Sequence, residues 1–118
     1  MSYALLIKKY EADLRSRPAD AELHYSLGVA YAQTDQLRRA LLHFDQASTL
    51  NPHHKNALFN LASGYETLGR AKLAIAFYQK LLDEGGLEED MDKYVRQRLA
   101  VLYQKTGRHL EGNLLRQN

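Results

Sequence analysis

The segment LGVAY, residues 27–31, returns as LASGY at 61–65 and as LAVLY at 99–103. Each copy is a leucine, a small residue, two free positions and a tyrosine. Leu27 to Leu61 and Tyr31 to Tyr65 both span 34 residues, and so do Ala40 to Ala74 and Phe44 to Tyr78. The third copy follows the second by 38 residues. A chain of 118 residues that repeats itself at this period is built from stacked copies of one supersecondary unit, because no single copy can bury its own apolar face.

The unit is helical. Apolar residues recur at three- and four-residue spacing almost throughout, as in Leu27 and Tyr31 and again in Leu37, Leu41, Phe44 and Ala47, and strand-like alternation is hard to find. Punctuation falls between the stripes at Arg17-Pro18-Ala19-Asp20, Gln33-Thr34-Asp35-Gln36, Asn51-Pro52, Leu68-Gly69-Arg70, Gly85-Gly86 and Thr106-Gly107-Arg108. The pattern predicts seven helices, at 3–16, 20–33, 37–50, 54–67, 71–84, 88–105 and 108–116. Connections this short make successive helices antiparallel neighbours, so the expected class is all-α, an α-solenoid of helical hairpins.

The repeat resembles the tetratricopeptide family. The unit at 21–54 has Leu27, Gly28, Tyr31, Ala40, Phe44, Ala47 and Pro52 in that family's register, with His24 where tryptophan is usual. The unit at 55–88 keeps Leu58, Leu61, Ala62, Tyr65, Ala74 and Tyr78 but departs at Leu81 and Gly86. Residues 89–118 keep Leu99, Ala100 and Tyr103, then place Gly112 at a small site and Arg116 where an aromatic belongs, so they form an extended, incomplete third repeat. Residues 1–20 form an N-terminal helix in which Leu6, Tyr10 and Pro18 weakly match the second half of an earlier repeat. The resemblance implies a single domain of about three repeats wound into a right-handed superhelix. Four extra residues lie within EGGLEEDMDK before the third copy. Four residues are close to one turn of 3.6, so a longer helix there keeps its apolar face in place. In this register Gly28, Ala62 and Ala100 permit close helix approach, answered by Ala40 and Ala74, while the tyrosines and Phe44 fill the wedge between hairpins.

Chemistry is not prominent. The net charge is +2, from 16 basic and 14 acidic residues mixed along the chain, which gives no footprint for nucleic acid or an anionic membrane. There is no cysteine, which removes thiolate chemistry. No apolar run reaches the roughly 18 residues of a spanning helix, and a cytoplasmic location is expected. His53 and His54 read as a solvated loop without a third ligand, His24 as a packing residue, and His43 and His109 have no suggestive partner spacing. The acidic run Asp83, Glu84, Glu88, Glu89, Asp90 and Asp92 lacks a calcium-loop register and suits a helix start. No metal, cofactor or enzymatic activity is expected.

What the resemblance implies is a concave groove, lined by the first helix of each hairpin, for an extended peptide or helix of a partner protein. The groove-facing positions are Glu22, Tyr25, Val29 and Ala32 in the first unit, then Asn56, Phe59, Asn60, Ser63 and Glu66, then Tyr94, Gln97, Arg98, Val101, Gln104 and Lys105. Tyr25, Phe59 and Tyr94 give a line of aromatic anchors of the kind found at binding hot spots. Arg98 and Lys105 make one part basic, for a partner acidic at one end, and Glu22 and Glu66 make the other acidic. One subfamily clamps a C-terminal carboxylate; Asn60 and Arg98 match that clamp, whereas Tyr25, Val29 and Tyr94 replace its two lysines and second asparagine, so a full clamp is not expected. A plainer alternative is that residues 3–16 fold over the aromatics. A further alternative is a homo-oligomer that stacks through irregular solenoid ends. Those ends also leave open whether the repeat continues in a longer chain.

Overall fold

A computed structural model of the chain describes residues 2–107, and every described element is helical: α1 (Tyr3–Ser16), α2 (Ala21–Gln33), α3 (Leu37–Leu50), α4 (Lys55–Thr67), α5 (Ala71–Glu84) and α6 (Glu89–Lys105). Their bounds agree with the six corresponding expected segments to within about one residue, which is the ordinary uncertainty of a helix end. The expected helix at 108–116, with Gly112 and Arg116, lies outside the described residues. The structure divides into two compact units, one up to Leu61 and one from Ala62 onward.

In the first unit α1 packs on α2, and α2 on α3. Ser2 caps α1 through the Leu5 N–H at 3.2 Å, and Asp20 caps α2 through the Leu23 N–H at 3.1 Å. The α2–α3 contact has no space for a side chain at Gly28, where an added Cβ would lie 2.6 Å from Cε1 of Phe44. Phe44, Leu27, Ala40 and Ala47 are all buried around it. The small residue is therefore what lets the phenylalanine ring lie against the α2 backbone.

The second unit repeats the scheme with α5 packed on α6. Ala62, Ala74, Tyr78, Leu99 and Ala100 are buried, and Tyr65 stacks on Phe77 with ring centroids 5.8 Å apart. Helix α6 has 17 residues against 13 in α2 and 13 in α4, so the four extra residues are taken up as one added turn. Its buried set is Val95, Leu99, Ala100, Leu102 and Tyr103, which matches Leu23, Leu27, Gly28, Ala30 and Tyr31 of α2 position for position.

The first helix of each repeat ends in the same way. Asp35, Gly69 and Gly107 all adopt left-handed backbone, with φ of 60°, 74° and 80°. The Gln36 N–H then reaches the Tyr31 carbonyl at 2.9 Å, and the Arg70 N–H reaches that of Tyr65 at 2.8 Å. This is the six-to-one closure that reverses a chain after a helix. The repeated tyrosine thus supplies both a core ring and the carbonyl that anchors the turn.

Replacing Gly28 by alanine sets a helix-propensity gain of about 1 kcal/mol against an overpacking cost of about 1–3 kcal/mol. The ring it strikes is enclosed, so the expected result is a net loss and a thermal midpoint lower by a few degrees. Phe44→Leu in the same chain should absorb much of the difference. A Gly28→Ala variant that melts higher than the parent would contradict the close contact.

Candidate functional site

Glu22 and Tyr25, two of the expected groove positions of the first unit, meet at one buried histidine. His54 lies just before α4, and its Nδ1 accepts the Ala57 N–H at 3.1 Å, so it serves as that helix's cap. With Nδ1 accepting, the neutral ring carries its proton on Nε2. That nitrogen lies 2.6 Å from Glu22 Oε1 and is otherwise enclosed, without an aligned hydrogen-bond partner. The sequence suggested a solvated loop here. His54 is instead 8% exposed, turned inward as the cap of α4. Its position three residues before Ala57 is a usable signal, but histidine is not among the residues favoured at that site.

Tyr25 lies against this cap. Its ring sits 4.8 Å from the His54 ring and 5.7 Å from that of Phe44, and its hydroxyl receives Asn60 Nδ2 at 3.5 Å, the long limit of a hydrogen bond. The ring is thus held on three sides. On the remaining side Tyr25, Ser26 and Val29 face Tyr3, Leu6 and Tyr10 of α1 across an open, mainly apolar cleft of about 290 Å³. So α1 does come over the groove-facing row of α2, yet it leaves a cleft rather than closing on it. Asn56 and Ala32 are exposed, and Phe59 is half-buried on α4. Tyr3, Leu6, Tyr10 and Ser26 were not among the expected site residues, since nothing in the repeat pattern says how α1 seats.

In the second unit Glu66 and Arg98, expected as separate acidic and basic features, are bonded to each other. Arg98 grips the carboxylate with two donors, Nε to Oε1 at 3.3 Å and Nη2 to Oε2, and the Tyr78 hydroxyl donates to Oε1 at 3.0 Å. Burial pushes the Glu66 carboxyl upward, but hydrogen bonds from Arg98 and Tyr78 and the charges of Arg98 and Lys105 outweigh it, so the group ends below its ordinary value. The hydrogen bond to Glu66 raises Arg98, and burial together with Glu66 raises Tyr78. Tyr94 is 43% exposed, Val101 and Ser63 are half-buried, and Gln97, Gln104 and Lys105 are exposed.

A histidine pair lies between α2 and α3. His24 Nε2 donates to the Pro18 carbonyl at 3.0 Å, so its Nδ1 is the acceptor for His43 Nδ1 at 3.2 Å. The His43 ring then stacks on Tyr31 at 5.6 Å, and Arg39 lies over the ring of that tyrosine, 5.8 Å from its centroid. Burial lowers the His43 pKa, the His24 charge lowers it further, and Glu11 raises it in part. This pairing was invisible in the sequence because the two residues meet only across the hairpin. Among the described residues no group of three or more His, Asp or Glu is placed to hold a metal ion, and no helix is long and apolar enough to cross a membrane.

These features define a helical-repeat protein whose first helices carry a polar and aromatic row outside the core. Residues 33–88 match the tetratricopeptide repeat model. The chain belongs to the tetratricopeptide-repeat family. It is 38% identical over 72 residues, or 61% of its length, to Superkiller complex protein 3 of Homo sapiens, and 34% identical over 80 residues, or 68%, to Tetratricopeptide repeat protein 37 of Xenopus laevis. The match spans only 5% of either relative. Among solved structures a MamA crystal structure superposes with a TM-score of 0.81 at 21% identity, covering 98% of this chain and 61% of that one. The first tetratricopeptide domain of Spaghetti (RPAP3), bound to the HSP90 peptide SRMEEVD, superposes with a TM-score of 0.74 at 18% identity, covering 85% and 79%.

The lowered His43 pKa predicts a pH dependence. The unfolded chain takes up this proton near the ordinary value of 6.5, whereas the folded chain resists it, so stability is complete above that value and falls as the pH drops through it. Glu66 adds a second loss below about 4.5, as the carboxylate held by Arg98 is protonated. Urea unfolding between pH 8 and pH 5.5 should show a loss that is smaller in His43→Gln. Identical slopes in the two proteins would exclude His43 as the source.

Proposed function

We propose that this chain is a non-catalytic, cytoplasmic interaction module that binds an extended segment or helix of a partner protein through the outward rows of α2, α4 and α6. The observation that supports it most is the cleft bounded by Tyr25 and Val29. Tyr25 already packs against the rings of Phe44 and His54, so it offers an aromatic surface with less side-chain entropy left to lose than a free ring. A cleft of about 290 Å³ suits a single bulky apolar side chain rather than a drug-sized ligand. Phe59, Asn60 and Ser63 on α4, and Tyr94 and Val101 on α6, are the further members proposed from the repeat register, with Glu22, Asn56, Glu66, Arg98 and Lys105 as the polar ones. A neighbour in fold holds a peptide, which is consistent with this use of the architecture.

A second reading, self-association, is favoured by α1. None of its residues is buried, and Leu5 is 58% exposed on its outer side. A second copy covering that face would form a homo-oligomer.

The two readings separate in one experiment. For a peptide selected from a random library, Tyr25→Ala and Phe59→Ala should each weaken binding by roughly tenfold or more, the level of a hot-spot residue, while Leu5→Glu leaves it unchanged. Equal affinity in the parent and both aromatic variants would rule out the proposed row. Light scattering that shows a dimer, lost in Leu5→Glu, would instead support self-association.

A further inference from the structure

On the reading above, the charge of the partner segment is set by how α6 distributes its cations. Three of them pair with the chain's own carboxylates: Lys93 with Glu89 at 3.0 Å, Arg96 with Asp92 at 2.7 Å, and Arg98 with Glu66 through two bonds. Lys105 acts on Glu66 as well, since its charge is among those that hold that carboxylate ionised. The first two pairs are the common four-residue kind on one helix. The third is different, because it joins α4 to α6 and is reinforced by Tyr78 from α5.

A planar guanidinium aligned for two-point contact is the usual device for capturing a foreign carboxylate or phosphate. Here Glu66 already occupies it. We propose that Glu66 is a specificity-determining residue: an internal carboxylate that fills the Arg98 fork, so that the face formed by α4 and α6 takes a neutral or basic partner segment rather than an acidic one. To bind Arg98, a partner's carboxylate would have to displace one that is tethered in place and also bonded to Tyr78. The displaced Glu66 would then lose its arginine while staying partly buried, with a side chain only 18% exposed. The segment expected near the fork is therefore one that contributes backbone amides, apolar side chains or a cation.

The test compares two probes on the full chain: the peptide SRMEEVD with its free carboxylate, and SRMQQVN with an amidated end. The parent should show no preference for the acidic probe. Glu66→Gln, which keeps the side chain's shape and removes its charge, should gain a preference of roughly ten- to a hundredfold, the range of one charge-assisted contact. Adding Arg98→Gln should abolish that gain. A parent that already favours the acidic probe tenfold overturns the proposal, and so does a folded Glu66→Gln that gains nothing. Should Glu66→Gln fail to fold, the parent's comparison still decides, with equal titration upholding and acidic preference overturning. A parent that captures nothing from a random peptide library counts against the interaction-module reading, whereas an acid preference gained in Glu66→Gln upholds the role of Glu66 independently.

Discussion

The contact between Gly28 and Phe44 is the constraint from which the first unit is assembled. An aromatic ring placed where a Cβ would otherwise stand brings α2 and α3 together, and it leaves Tyr25 resting on the outer edge of the same ring. Core and candidate site therefore share an atom surface. Any change that moves Phe44 also moves Tyr25, the residue proposed to meet a partner. In the second unit Ala62, Ala74 and Ala100 are buried where small side chains recur, and Tyr78 passes through the core to end on Glu66. In both units a core aromatic thus ends at an outward polar or aromatic group.

Electrostatics act as a second layer on this packing. His54 caps α4 and contacts Glu22, while Arg98 ties α6 to Glu66 of α4. Exposed ion pairs contribute little to stability, but these pairs are partly enclosed and hold the site's side chains in defined positions. The charges that looked available to a ligand in the linear sequence are largely satisfied by the chain itself. That shifts the character of the proposed surface from an anion-binding groove toward an aromatic and amide-rich one.

The helices were legible because their signals are local. The spacing of Leu27, Tyr31, Leu61 and Tyr65 and the turn residues at Asp35, Gly69 and Gly107 are written in consecutive residues, and the added turn of α6 followed from four inserted residues. The site was only partly legible. Family register named Tyr25 and Val29, but the opposing wall of Tyr3, Leu6 and Tyr10 depends on how α1 docks, which no repeat pattern encodes. His54 was misread because a capping histidine has no strong sequence signature, and the His24–His43 pair because its members meet only through tertiary packing. Glu66 and Arg98 were singled out individually, yet their bond joins residues separated by 32 positions, a distance at which spacing gives no guidance.

A partner is proposed to bind at the outward positions of α2, α4 and α6, and not at those of α3 and α5. The most direct measurement is amide chemical-shift mapping of the isotopically labelled chain during titration with a library-selected peptide. The largest shifts should fall at Tyr25, Val29, Phe59, Asn60 and Val101, with Arg38, Leu42, Lys72 and Leu73 unmoved. Shifts concentrated on α3 and α5, with Tyr25 and Phe59 unchanged, would contradict it.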